Sequence, residues 1–238
     1  MRIGVKTTPL VLFPFILLLL FAAQCHADGI IVDKVYHPYV VANEKEFEWR
    51  LSSSQADTNN RLAQQFGYGY SAFENVAFEV YIIAERDETG DFNISGYEGE
   101  LRWMLTEQGQ YWADWGALFE FEIEDDRDRY EFTSGLLFEK EFTKTSLTMN
   151  ALVHYEWGQG DAETEAEFRL KYRYRYLPAL QPAIELYMGE DFVGIGPALM
   201  GVYRFDGQKQ LKWEAGFITE ISQPGKDHTF RLSLEYEF

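Results

Sequence analysis

Four basic residues alternate along one stretch of the sequence, EFRLKYRYRYL, and form its clearest charged pattern. Arg169, Lys171, Arg173 and Arg175 stand two positions apart. Successive side chains of a β-strand point to opposite faces, so this spacing predicts a strand with one cationic face. That basic row could attract an anionic solute. Alternatively, it could neutralise carboxylates on neighbouring strands and help to fill an interior.

Acidic residues show the same alternation in several other stretches, which predicts that they face the same interior as the basic row. Paired carboxylates can perform glycoside hydrolysis, but a sequence with this many acidic rows brings carboxylates together without any catalytic role. We therefore predict that these residues line an interior and that catalytic residues are absent. The acidic lining residues predicted in this way are Glu98, Glu100, Glu120, Glu122 and Glu156.

His154 is the histidine that falls near the middle of a predicted strand, and it shares a face with Asn150 and Glu156. A serine hydrolase needs a hydroxyl nucleophile beside its histidine. The next position on the same face after His154 is a glutamate rather than a serine. The pattern therefore favours a histidine that is paired with a carboxylate.

The stretch DETGDFNISGYE has oxygen-bearing side chains at the offsets of a calcium-binding loop, beginning at Asp87, Thr89 and Asp91. That loop requires a glycine for its sharp turn, and Phe92 occupies this position. Strand-like segments flank the stretch, whereas helices flank a calcium loop of this kind. The sequence favours a hairpin turn, and it predicts no metal site and no cofactor.

The elements that position these residues are β-strands, because apolar and polar residues alternate from residue 45 to the carboxyl terminus. Turn clusters rich in Gly, Asp, Asn, Gln and Pro separate the alternating segments. The connections after odd-numbered segments are mostly the more acidic ones. The predicted strands are 45–54, 61–71, 75–85, 93–106, 111–124, 129–142, 145–158, 162–176, 181–190, 193–205, 209–221 and 227–238.

The amino terminus has the features of a secretory signal peptide, which predicts cleavage after Ala27. Arg2 and Lys6 precede an apolar stretch that ends in a small residue. Cleavage removes Cys25, the single cysteine, and leaves 19 Lys and Arg against 39 Asp and Glu, a net charge of −20. This charge argues against binding to nucleic acid. The predicted organisation is a signal peptide at 1–27, a periplasmic segment at 28–43 and one β-domain at 44–238.

The apolar faces of the predicted strands are too aromatic and too regular for the inside of a soluble barrel. They end in Tyr, Trp and Phe, as a lipid-facing wall with aromatic girdles does. The final strand is apolar at every second position up to the last residue. With these features the chain resembles bacterial outer-membrane β-barrel proteins, and the terminal residues that carry the resemblance are Leu232, Leu234, Tyr236 and Phe238.

This resemblance implies an all-β fold, an antiparallel up-and-down transmembrane β-barrel of about 12 strands, in the outer membrane of a Gram-negative cell. The final strand would pair with the first and serve as the assembly signal. The implied partners are outer-membrane lipids, lipopolysaccharide and the barrel assembly machinery. The expected role is a narrow channel for small polar or charged solutes.

Two alternatives to a channel remain open at the level of sequence. One is a structural or envelope-assembly barrel with a filled lumen. The other is a lipid-modifying enzyme, since the class includes a twelve-stranded phospholipase, but its reactive residues face outward whereas His154 is predicted to face inward. The sequence does not establish the solute, the oligomeric state, the openness of the lumen or the role of residues 28–43.

Overall fold

The protein is described by a computed structural model over residues 32–55, 60–86, 90–124, 128–158, 161–190, 192–222 and 228–238. In these residues twelve antiparallel strands pair in chain order, and β12 pairs with β1 to close a barrel. This confirms the predicted fold class. The strands are β1 (Lys45–Gln55), β2 (Asn60–Tyr70), β3 (Val76–Arg86), β4 (Phe92–Met104), β5 (Asp114–Glu124), β6 (Arg129–Glu141), β7 (Thr145–Gly158), β8 (Glu163–Tyr174), β9 (Gln181–Met188), β10 (Val193–Arg204), β11 (Gln210–Glu220) and β12 (His228–Glu237).

The barrel is apolar outside and polar inside, as the alternation predicted. In β3, Val80 is 61% exposed on the outer wall, whereas its neighbours Glu79 and Tyr81 are 3% and 2% exposed and face the lumen. The same inversion holds along β1, where Glu48 is buried inside and Phe47 is exposed outside. A continuous apolar outer wall with a polar interior is the arrangement that suits a barrel surrounded by lipid. No helix in the described part of the chain is long and apolar enough to cross a membrane.

Both ends of the barrel sequence lie at one rim, because the number of strands is even. In outer-membrane barrels this rim faces the periplasm, and the opposite rim carries the longer loops. We therefore call the rim with Lys45 and Phe238 the periplasmic end and the opposite rim the outer end. The apparent calcium-loop pattern follows β3 in the sequence, and its residues 87–89 lie outside the described part of the chain.

The carboxyl terminus closes the barrel through backbone hydrogen bonds between β12 and β1. The Phe238 amide donates to the Lys45 carbonyl at 2.9 Å, and the Phe238 ring stacks on Phe47 with ring centroids 5.6 Å apart. Pairing the first strand with the last removes both open sheet edges. The closing strand therefore ends on an outward aromatic side chain at the periplasmic end.

We predict that Phe238→Asp lowers the level of folded protein in cells several-fold, because the terminal aromatic residue is the proposed assembly signal. Heat-modifiable gel mobility measures the folded fraction. Phe205→Asp is the matched control, since Phe205 is also exposed, lies in the turn after β10 at the same end and is near Tyr236. Equal folded levels of the two variants would contradict this role of Phe238.

Candidate functional site

A segment that precedes β1 lies inside the barrel. Tyr36 is 1% exposed, and its backbone is held on both sides by one side chain of β7: the Tyr36 amide donates to Asn150 Oδ1, and Asn150 Nδ2 donates to the Tyr36 carbonyl, both at 2.8 Å. The Tyr36 hydroxyl donates to Glu120 Oε1 on β5, also at 2.8 Å. We call residues 32–38 the N-terminal segment. The sequence assigned residues 28–43 to a periplasmic segment, and the structure describes this range from residue 32 onward.

Three leucines on the lumen side of the wall form a docking patch for Tyr36. Leu118, Leu137 and Leu152 are each at most 1% exposed and pack in one buried cluster with Tyr36. Gly135 lies between two of them, because it is the register partner of Leu118 on one side and of Leu152 on the other. Apolar residues at lumen positions are the sequence signal that could have revealed a segment docked inside the barrel.

In chain order, the N-terminal segment runs from the outer end of the lumen toward the periplasmic end, where β1 begins. Near the periplasmic end, the Tyr39 hydroxyl donates to Asp114 at 3.0 Å, at the first residue of β5. Near the outer end, Val32 and Val35 share a buried cluster with Tyr187 and Ile218, which lie close to the outer ends of β9 and β11. The segment therefore passes through the middle of the lumen and narrows it.

Two residues of the segment, Asp33 and Lys34, are held by charged side chains from opposite walls. Lys34 Nζ is 2.8 Å from Glu48 on β1, and Asp33 is 3.2 Å from Arg50 on the same strand. On the other side, Arg169 of β8 donates to the Lys34 carbonyl at 2.9 Å. Buried charges need such partners, because an unpaired charge is costly away from water. These contacts fix the segment across the lumen.

The basic row points into the lumen along β8, and each of its cations contacts a carboxylate. Arg169 makes two hydrogen bonds of 2.7 Å to Glu167, and Lys171 contacts Glu214 at 2.8 Å. Closer to the periplasmic end, Arg173 contacts Glu139 at 3.3 Å. Arg175, which follows β8, pairs with Glu141. The row is thus neutralised within the wall, which favours its structural interpretation.

A second buried network of ion pairs lies beside the basic row. Glu185, which is 0% exposed, accepts hydrogen bonds from Arg231, and Lys171 approaches it at 3.4 Å. Arg231 also contacts Glu214 at 3.0 Å. Four strands, β8, β9, β11 and β12, therefore meet through ion pairs on one side of the lumen.

The predicted acidic lining residues occupy the other side and the outer half of the lumen. Glu98, Glu120, Glu122 and Glu156 line a cavity at the outer end of the lumen, whereas Glu100 is outside its lining and is 3% exposed. Glu156 is paired with Arg129 at 2.5 Å. The structure therefore brings Glu98, Glu100, Glu120 and Glu122 together on β4 and β5, and it places Glu156 on a separate wall.

The cavity at the outer end has a volume of about 270 Å³ and is strongly acidic. Val32, Asp33 and Lys34 of the N-terminal segment contribute to its lining, so the segment closes its inner side. Among the described residues, the lining carries six Lys and Arg side chains. Against these stand Asp33 and eleven glutamates: Glu85, Glu98, Glu120, Glu122, Glu124, Glu131, Glu156, Glu163, Glu165, Glu167 and Glu190.

His154 lies on the cavity wall between two carboxylates. Its Nδ1 is 2.9 Å from Glu131, and its Nε2 is 3.3 Å from Glu167. The Thr133 hydroxyl lies 2.8 Å from Nδ1, but this residue is 1% exposed and donates to Glu131, so it cannot act as an accessible nucleophile. This environment matches the paired histidine that the sequence favoured.

Comparison with protein-family profiles gives no match, and comparison with curated proteins gives none. Solved structures do match the fold. The KdgM porin in complex with disordered oligogalacturonate aligns with a TM-score of 0.56 and 10% identity, over 81% of this chain and 99% of that chain. An outer membrane channel from Pseudomonas putida F1 aligns with a TM-score of 0.58 and 13% identity, over 87% of this chain and 98% of that chain. The chain therefore has the fold of small outer-membrane β-barrels, and these two similar structures are a porin and a channel.

Proposed function

We propose that this protein is a narrow outer-membrane channel that favours small cations or cationic solutes and is constricted by its N-terminal segment. The observation that carries this proposal is the charge of the outer cavity, where twelve carboxylates face six Lys and Arg side chains among the described residues. A cleft lined by one sign of charge raises the local concentration of ions of the opposite sign.

The basic row does not neutralise the negative charge of the cavity, because its cations are already paired with carboxylates. Arg169 and Lys171 are buried and paired with Glu167 and Glu214. Paired buried cations add little net field to an adjacent path. An anion-selective path along this row is therefore the weaker hypothesis, and the net negative cavity determines the expected selectivity.

The KdgM porin structure contains disordered oligogalacturonate, a chain of sugar acids. In this protein, repulsion from the carboxylate-rich cavity would disfavour a polyanion of that type. We propose that the two barrels share an architecture but admit solutes of opposite charge. The outer wall would contact outer-membrane lipids and lipopolysaccharide.

A second candidate function is a structural or envelope-assembly barrel with a filled lumen. The packing of Tyr36 against Leu118, Leu137 and Leu152 favours it, since these side chains are as fully buried as those of a protein core. The two candidates differ in one property, which is ion conduction after insertion into a bilayer.

Reversal potentials in a planar bilayer under a KCl gradient test the proposed channel. We expect a small conductance with K⁺ preferred over Cl⁻ several-fold, and the preference should shrink at high salt because screening shortens the range of the field. Glu122→Gln together with Glu165→Gln should shift the reversal potential toward anions, since both residues line the outer cavity.

The matched control makes the same charge change outside the cavity. Glu74 and Glu107 are exposed in turns at the periplasmic end, so Glu74→Gln with Glu107→Gln should leave selectivity nearly unchanged. Preference for Cl⁻ in the wild-type channel, or equal shifts from both double variants, would contradict the proposal.

A further inference from the structure

Three glutamates from β4 and β5 form a cluster that lacks sufficient hydrogen-bond donors. Glu100 and Glu120 are direct register partners, and Glu98 lies two residues before Glu100 on the same face of β4. Carboxylate oxygens of Glu98, Glu100 and Glu120 all lie within 4.8 Å of one another. Like charges that face each other directly across a sheet destabilise it, so the arrangement requires compensation.

Glu100 is the member of this cluster whose carboxylate charge lacks hydrogen-bond donors. It is 3% exposed, and neither of its carboxylate oxygens accepts a hydrogen bond from the described residues. The nearest cation is Arg50, whose Nη2 is 3.8 Å from Glu100 Oε2. That nitrogen already donates to Glu48 at 3.1 Å and to the Tyr81 hydroxyl at 2.7 Å. A buried carboxylate without donors is costly unless another positive charge binds it.

The neighbouring strand does not supply that charge. The register partner of Glu100 on β3 is Glu79, a third carboxylate in the same row. Arg102 of β4 is already paired, because it binds Glu79 at 2.5 Å and lies 3.8 Å from Glu46. Glu98 Oε1 is also buried and accepts no hydrogen bond from the described residues. Two of the three cluster members therefore present free buried oxygens to the same point.

We propose that Glu98, Glu100 and Glu120 bind a divalent cation, and that the cation is Ca²⁺. Ca²⁺ takes oxygen ligands at about 2.3–2.6 Å, so one ion can bridge carboxylate oxygens separated by up to about 4.8 Å. Mg²⁺ needs about 2.0–2.1 Å and strict octahedral geometry, which fits this spacing less well. The bound charge would neutralise the cluster that the protein groups leave uncompensated.

The site is reachable from the outer end and is connected to the N-terminal segment. Glu98 and Glu120 line the outer cavity, which gives an ion a route to the buried Glu100. The Tyr36 hydroxyl donates to Glu120 Oε1, which orients this carboxylate and leaves Oε2 for the ion. Tyr36 is therefore a positioning residue for the proposed site.

Isothermal titration calorimetry with Ca²⁺ tests the proposal on refolded mature protein in zwitterionic detergent free of lipopolysaccharide. We expect one saturable site in the wild-type protein, with weaker binding of Mg²⁺. Glu100→Gln and, separately, Glu98→Gln should each weaken Ca²⁺ binding about tenfold or more, because affinity in oxygen sites follows the number of charged ligands. Heat-modifiable gel mobility shows that each variant is folded.

Glu190→Gln is the matched control, since Glu190 is an exposed residue of the same cavity outside the cluster. It should leave the Ca²⁺ affinity within about twofold, whereas non-specific attraction to the acidic cavity would weaken equally in all three variants. A folded wild-type protein with no saturable Ca²⁺ site would overturn the proposal. Binding by Glu100→Gln and Glu98→Gln as tight as that of Glu190→Gln would also overturn it.

Discussion

Removing residues 28–38 is expected to raise the single-channel conductance several-fold. The deletion eliminates Tyr36 and Val35, which cross the lumen and pack against its walls, but retains Tyr39 and the whole of β1. Because conductance follows the narrowest cross-section of a path, loss of the central obstruction should have a larger effect than any single substitution. Single-channel recording in planar bilayers measures it.

A second variant separates the presence of the segment from its contacts. Replacing residues 32–38 with seven Gly and Ser residues keeps the chain length but removes the leucine contacts of Tyr36 and the Asp33 and Lys34 ion pairs. We expect high conductance with frequent partial closures, since an undocked chain still enters the lumen. If the folded and inserted deletion variant conducts no more than the full-length protein, the lumen is filled by its own wall and the structural candidate stands.

The strands could be predicted from the sequence because the two environments of the wall differ so strongly. In β7, the predicted range 145–158 matches Thr145–Gly158, since lipid on one side and a charged lumen on the other enforce strict alternation. The sequence also predicted that His154 is paired with a carboxylate. Local alternation was sufficient for these features because each depends on one strand and its immediate neighbours.

The N-terminal segment could not be located in the same way, because it has no regular period of its own. Its position follows from complementary residues far away in sequence, such as Asn150, which binds both backbone groups of Tyr36. The strands of the wall nevertheless carry a sequence signal of this segment. Leu118, Leu137 and Leu152 interrupt polar faces in β5, β6 and β7, and an apolar residue on a lumen face needs an apolar partner.

The ion pairs between strands that are not neighbours could not be predicted either, because they depend on how side chains meet inside the closed barrel. Lys171 on β8 contacts Glu214 on β11, and Arg231 on β12 reaches Glu185 on β9. Neither pair lies on neighbouring strands. The sequence indicated cations and carboxylates on the same lumen, whereas only the closed geometry determines which of them neutralise each other and which remain uncompensated.

Glu185→Ala is expected to destabilise the folded barrel by about 3 to 5 kcal/mol, the cost of breaking a buried ion pair. Glu185 is fully buried and accepts hydrogen bonds from Arg231, while Lys171 lies 3.4 Å away. Its removal leaves the Arg231 guanidinium with Glu214 as its remaining carboxylate partner among the described residues. The free energy of unfolding in urea, measured from lipid vesicles, gives the loss.

Glu141→Ala is the matched control for Glu185→Ala. Glu141 also pairs with an arginine, Arg175, but both side chains are about a third exposed. A solvated ion pair contributes about 0 to 1 kcal/mol, so this variant should unfold almost as the wild-type protein does. If both variants lose equally little stability, water reaches the network around Glu185 and screens its charges. That outcome would contradict a dry ion-pair network and would indicate a wetter lumen, with a path for ions along the basic row.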